Sequence, residues 1–280
     1  MGWTVAGESD LGDLISYYAT RCGPVPGDRL RRFGISSRTT PRRRYFLYRD
    51  GSRVTAAVFH GPNGFFYPMG LGELNETARR ELRRILGLLV RAGTVMGPAR
   101  DVEILCSLFR QGKTYSVEYR QMHLRSGDFP DPAAPPVTGL TLFTPDRNDW
   151  ERLLPLQIAY EKEEVLLPGR IVNPHASKAV LLDSLEHQIV LAASRNDTVV
   201  ARVATNAVGY GCNQIGGVYT DPTLRNNGVA RWMMSELLQR FKADAKDAVL
   251  FVKPENGAAI ALYTNLGFRI ESDFRINYYF

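Results

Sequence analysis

The sequence predicts an α/β protein of the α+β type, organised as two domains of similar size. Three observations carry this. Short runs rich in β-branched and aromatic residues alternate along the whole chain with stretches of helical periodicity. Residues 129–136, Phe-Pro-Asp-Pro-Ala-Ala-Pro-Pro, can continue neither helix nor sheet and read as a linker between domains at 1–136 and 137–280. A chain of 280 residues with 44% hydrophobic content can fill a core in each.

In the first domain, Leu11, Leu14, Ile15 and Tyr18 recur at helical intervals behind Ser9 and Asp10, a candidate N-cap, so residues 10–22 predict a helix. Glycine and proline at 23–27 read as a break. Residues 45–48 and 53–59 flank Asp50 and Gly51 as a hairpin, with a third strand at 64–67. Residues 74–92 set Leu82, Ile85, Leu86, Leu89 and Val90 on one face of an amphipathic helix. Residues 94–97 lead into a second helical stretch at 101–108, and 115–124 read as a strand.

In the second domain, 140–143 predict a strand. A helix then starts near Asp146, carries Trp150, Leu153, Leu154 and Ile158, reaches Glu161, Glu163 and Glu164, and ends at Pro168 and Gly169. Residues 178–186 predict another helix, and 187–193 with 199–207 a hairpin. The apolar run 215–219 is broken by Asp221 and Pro222. After Gly228, apolar residues recur at Ala230, Met233, Leu237 and Phe241, giving strand, loop, helix. Residues 248–252 read as a strand, 258–266 as a helix closed by Gly267 and Phe268, and 274–280 as a closing strand.

The loop at 225–230 is suited to an anion. A helix beginning at Gly228 presents unpaired N–H groups at the positive end of its dipole, and residues without bulk let a phosphate approach them. Arg225, Gly228 and Ala230 fall on the three defining positions of the Arg/Gln-x-x-Gly-x-Gly/Ala signature, and Asn256, Leu262, Tyr263, Gly267 and Phe268 follow at matching places. The chain from about residue 188 to 280 therefore resembles the GNAT acyltransferase superfamily.

That resemblance implies two GNAT-like domains, each a mixed, mostly antiparallel sheet flanked by helices, the first a degenerate copy. The copy lacks the loop: residues 70–76 contain glycines but place Glu73 and Glu76 where a pyrophosphate would meet cations or bare N–H groups. The resemblance further implies acetyl-CoA as acyl donor, its pyrophosphate on the backbone of Arg225, Asn226, Asn227, Gly228, Val229 and Ala230. Gly217, Val218, Tyr219 and Thr220 would line the pantetheine arm, with the Val218 N–H on the thioester oxygen. Tyr263 would protonate the departing sulfur. Asn256 would hydrogen-bond near the cofactor, although an N-cap role explains it nearly as well.

For a base, Glu161 and Glu164 are three apart and share a helix face while Glu163 points elsewhere; Glu161, farther from Pro168, is preferred. The expected activity is direct N-acetylation of an amine. The alternative is a non-catalytic CoA-binding sensor.

The net charge of +6 is uneven: +7 over residues 1–140 and −1 over 141–280. The excess centres on Arg29, Arg31, Arg32, Arg38, Arg42, Arg43 and Arg44. Aromatic residues for base stacking are not interleaved there, so the cluster reads as a solvated basic loop rather than a nucleic-acid surface. Cys22, Cys106 and Cys212 are odd in number and far apart, which predicts reduced thiols in a cytoplasm. No apolar run approaches the roughly twenty residues of a membrane helix, and no basic-then-apolar leader opens the sequence. His60, His123, His175 and His187 are scattered without metal-ligand spacing, and no Gly-x-Ser-x-Gly elbow occurs. Residues 107–114 resemble a P-loop whose first glycine is serine, but they follow a helical stretch and read as a basic turn.

Overall fold

The computed structural model describes residues 1–35, 43–87, 92–109, 112–113 and 115–280. The first half runs through β1 (Gly2–Val5), α1 (Leu11–Thr20), α2 (Pro24–Phe33), β2 (Arg44–Asp50), β3 (Arg53–Gly61), β4 (Phe65–Met69), α3 (Glu76–Gly87), β5 (Thr94–Pro98), α4 (Ala99–Leu108) and β6 (Tyr115–Leu124). The second runs through β7 (Leu140–Phe143), α5 (Trp150–Tyr160), α6 (Pro174–His187), β8 (Val190–Arg195), β9 (Thr198–Val208), β10 (Cys212–Thr220), α7 (Val229–Lys242), β11 (Asp247–Val252), α8 (Gly257–Asn265) and β12 (Arg269–Tyr278). The succession of strand, two helices, three strands, helix, strand, helix and strand thus occurs twice.

Two elements depart from the sequence reading. Residues 23–27 are no break but the start of α2, because Pro24 and Pro26 sit in the first turn, where their missing N–H groups have no intrahelical partner to lose. The short β1 went unread; it is anchored by Trp3, whose indole N–H donates to the Ala78 carbonyl at 2.8 Å. Leu89 and Val90, expected on the α3 face, lie outside the described residues, as do Arg110, Gln111 and Thr114 of the P-loop-like stretch.

All twelve strands form one mixed sheet in the order β1-β2-β3-β4-β5-β12-β6-β11-β10-β9-β8-β7. Among the described strands only β4 with β5 and β10 with β11 run parallel. The last strands of the two halves are exchanged: β12 pairs with β5, Phe274 opposite Pro98 through Tyr278 opposite Thr94, and β6 pairs with β11, Ala248 opposite Leu124 through Val252 opposite Arg120. Period-two alternation sends successive residues to opposite faces. Tyr45 and Leu47 pack with α1 and α2, whereas Phe46 and Tyr48 pack with α3 and α4. In the second half Ala192, Val199 and Tyr219 face α5 and α6, while Leu191, Ala193 and Ile215 meet Met233, Leu237 and Phe241 of α7.

The expected reduced thiols are corrected at two of three positions. Cys22, just past α1, and Cys212, at the start of β10, are 190 residues apart in sequence yet have Cα atoms 5.6 Å apart and form a disulfide; Cys106 is free. The fold brings them together because Gly211 has no side chain: a Cβ there would stand 2.3 Å from the Ala19 carbonyl oxygen of α1. The basic cluster is also partly structural. Arg32 bridges α2 to Asp183 of α6 at 2.7 Å, Arg31 donates to the Val208 carbonyl at 3.1 Å, and the Arg43 guanidinium lies 3.8 Å from the Phe33 ring centre. Arg38 and Arg42 lie outside the described residues. Among the described residues no helix is long and apolar enough to cross a membrane.

Candidate active site

The cleft begins where two parallel strands part. β10 and β11 pair only from Cys212 opposite Asp247 to Ile215 opposite Leu250. Beyond that, β10 carries one extra residue relative to β9, between Gly216 opposite Ala204 and Tyr219 opposite Arg202. Such a bulge bends its strand away from the ladder. Gly217 lies within it at φ +59, a conformation that favours glycine, and a Cβ there would stand 2.8 Å from Arg202 Nη2 and have to displace the guanidinium. A cavity of about 590 Å³ fills the opening, and Gly217, Val218, Tyr219 and Thr220 line one wall.

The far end of the cavity is the loop at 225–230. Asp221 caps the turn Pro222–Leu224 by accepting from the Thr223 N–H at 2.9 Å. Asn226 (φ 61) and Gly228 (φ 79) are both left-handed, and Gly228 is the N-cap of α7. The first intrahelical bond runs from Trp232 N–H to the Gly228 carbonyl at 3.0 Å, which leaves the N–H groups before it at an open helix end. Arg225, Asn226, Gly228, Val229 and Ala230 line the cavity. Asn227 is not among its lining residues; its side-chain amide donates to the Arg225 carbonyl at 2.9 Å and so folds the loop. The Arg225 guanidinium grips Glu163 in two parallel bonds, 2.8 and 2.7 Å, and lies 5.2 Å from the Tyr219 ring centre. It braces the loop against the end of the α5 segment and neutralises the carboxylate there.

The three glutamates do not fall as α-helical spacing predicts. Residues Glu161–Val165 form a π-helical turn, with the Leu166 N–H bonded to the Glu161 carbonyl five residues back at 2.9 Å. The wider turn brings Glu163 and Glu164 together onto the cavity and leaves Glu161 off it. Glu161 instead accepts from Gln157 Nε2 at 2.6 Å and from the Ser177 hydroxyl, and Gln157 in turn accepts from the fully buried Arg202. Glu164 is half-buried, and that burial raises its carboxyl above the usual range. Its Oε1 accepts from Asn256 Nδ2 at 3.2 Å, and its carbonyl from Lys253 at 2.9 Å. Asn256 at the same time caps α8 through the Ala259 N–H at 3.1 Å, the N-cap role the sequence offered for it.

Tyr263 lines the cavity from α8 and is buried to 9% exposure. Desolvation, with Tyr160 and Glu164 nearby, pushes its hydroxyl well above the usual phenol range and keeps it protonated. The Tyr160 hydroxyl lies 3.3 Å from the Gly217 N–H. The sequence alone missed Met96, Tyr119, Ile276 and Tyr278, which line the same cavity from β5, β6 and β12. Their alternation was visible, but only the strand exchange carries them to this cleft.

At the equivalent place in the first half, β4 and β5 pair only at Phe65 with Thr94 and Phe66 with Val95. The following loop is closed from within: the N–H groups of Gly70 and Gly72 each donate at 2.8 Å to the carboxylate of Asp101, in the first turn of α4. Glu73 is paired with Arg21 at 2.5 Å.

Residues 150–268, which carry most of the residues lining the cleft, match the model of the acetyltransferase (GNAT) family. Over most or nearly all of its length the chain also has the fold of solved structures. A Drosophila protein aligns with a TM-score of 0.68 at 13% identity, covering 99% of this chain and 98% of that one. A tandem GNAT protein from the clavulanic acid biosynthesis pathway aligns with a TM-score of 0.60 at 12% identity, covering 98% and 97%. A GCN5-related N-acetyltransferase from Kribbella flavida gives 0.53 at 14%, covering 80% and 86%. No curated protein matches the sequence.

Proposed function

We propose that the protein is an acetyl-CoA-dependent N-acetyltransferase that passes the acetyl group directly to an amine. The observation that carries this is the cleft between β10 and β11, whose open wall at 217–220 leads to the N-terminus of α7. The residues present suit the donor. The loop offers left-handed Gly228 and an open helix end to a pyrophosphate, and the Glu163 carboxylate beside it is already neutralised by Arg225.

In this reading the N–H groups of residues 226–230 hold the pyrophosphate, and residues 217–220 run alongside the pantetheine arm. The Val218 N–H polarises the thioester carbonyl. Glu164, held by Asn256, takes a proton from the incoming ammonium and so replaces Glu161 as the favoured base. The freed amine nitrogen bonds to the carbonyl carbon and the carbon–sulfur bond breaks. Tyr263 gives its hydroxyl proton to the departing sulfur.

Calorimetry tests the assignment. Acetyl-CoA should bind wild type at one site per chain, because Asp101 fills the equivalent loop in the first half. Gly228→Asp should abolish binding, since it puts bulk and negative charge at the helix end in a backbone conformation that favours glycine. Retained affinity in a folded variant would remove the loop from the site.

A further inference from the structure

We propose that the acceptor is a primary amine borne on an aromatic or branched apolar body and carrying no carboxylate. The proposal rests on the acetyltransferase reading and narrows it to a substrate class.

The argument comes from the floor of the cavity beyond the cofactor cleft. Moving across the sheet from β10, the next strands are β11, β6, β12 and β5. On the face that also carries α1 and α2, these strands present Phe251, Tyr119, Ile276, Tyr278 and Met96 to the cavity. Their register keeps them contiguous: Ile276 lies opposite Met96, and Tyr119 lies opposite Phe274, whose ring stacks on Phe251 at 3.8 Å. None of the five is fully buried, so each has surface left to give to a ligand.

Among the described residues that line the cavity, charge is found at the edge nearest the cleft. Of the two carboxylates lining the cavity, Glu163 is held by Arg225, whereas Glu164 has no guanidinium partner and stands between the cleft and the aromatic floor. One ammonium on the acceptor therefore finds one carboxylate. The cations lining the cavity are Arg225, committed to Glu163; Lys253, whose ammonium donates to the Glu164 carbonyl; and Arg231, in the first turn of α7 beside the phosphate loop. None lies on the floor, so an acceptor carboxylate would lose water there without gaining a counter-charge. Aromatic rings fit: Tyr119 and Tyr278 offer faces for stacking, and Met96 and Ile276 offer polarizable and branched surface.

The test is steady-state acetylation of matched amines by the full chain, with acetyl-CoA binding followed by calorimetry. Phenethylamine should exceed phenylalanine, the same ring and amine with a carboxylate added, by about 10²-fold in kcat/KM. Met96→Lys and Ile276→Lys, each placing a cation on the floor, should bind acetyl-CoA as wild type does and shift the ratio toward phenylalanine by about tenfold. Equal or better turnover of phenylalanine by wild type would overturn this acceptor class and leave the acetyltransferase reading intact. Tight acetyl-CoA binding with none of the amines acetylated would overturn both.

Discussion

The two side chains proposed to move protons are both shifted by burial in the direction their tasks require. Tyr263 is kept protonated as a donor. Tyr263→Phe preserves the ring, 6.0 Å from that of Phe268, so kcat should fall by roughly 10²–10⁴-fold with acetyl-CoA affinity little changed; full activity would return the residue to the core. Glu164 has its carboxyl raised by burial, so its base form appears as pH climbs through a value above the ordinary glutamate range of about 4.3. Glu164→Gln should lose roughly 10²–10⁴-fold near neutral pH and regain part of it at alkaline pH, where free amine becomes abundant. A pH–rate profile parallel to wild type would reject the assignment. That Gly228 and Tyr263 would face one cavity was legible in the sequence because their spacing is local. Which of Glu161 and Glu164 faces it was not, because that turns on one extra residue per hydrogen-bonded turn.

At the scale of elements, local pattern gave most strands and helices, and failed where context reversed the meaning of a residue. The prolines of α2 signal a break in mid-chain and a start in a first turn. The joint between the halves adds a titrating contact. His123 on β6 lies 2.9 Å from Asp247 of β11 and 3.5 Å from Glu271 of β12. Hydrogen bonding to Glu271, then to Asp247, raises its pKa against the opposing effect of burial. A histidine with a raised folded-state pKa contributes stability that is fully present below the unfolded value of about 6.5 and is lost as pH rises through the folded value. The melting temperature of wild type should therefore exceed that of His123→Gln most at about pH 6, and the gap should narrow toward about pH 9. A gap independent of pH would show that the contact is held by packing alone.

At the scale of the molecule, the repeat of elements was visible in the sequence but the exchange of β6 and β12 was not. Either strand satisfies the same alternation beside either neighbour, so periodicity cannot choose between them. The disulfide escaped for the same reason, since 190 residues separate its cysteines. The exchange carries a test. Residues 137–280 alone lack the strand between β11 and β12, and residues 1–136 alone lack the strand between β5 and β6. Expressed separately, neither fragment should show a cooperative thermal transition, whereas co-expression should restore one. An independently folded fragment 137–280 that binds acetyl-CoA would show that the shared strands are dispensable.

The Asp101 carboxylate on Gly70 and Gly72 gives the two halves different dependence on their surroundings. In the first half the anion is tethered to the chain, so its occupancy does not vary with the concentration of anything in solution. In the reading proposed here for the second half, the corresponding place is filled only by mass action, so that donor at about a hundred times its dissociation constant would add about 2.7 kcal/mol to the folded state. Because β6 and β12 are woven into each other's halves, that increment is shared by the whole sheet. The resistance of the protein to heat or proteolysis should therefore report the supply of acyl donor through one half, with the other acting as a fixed ballast.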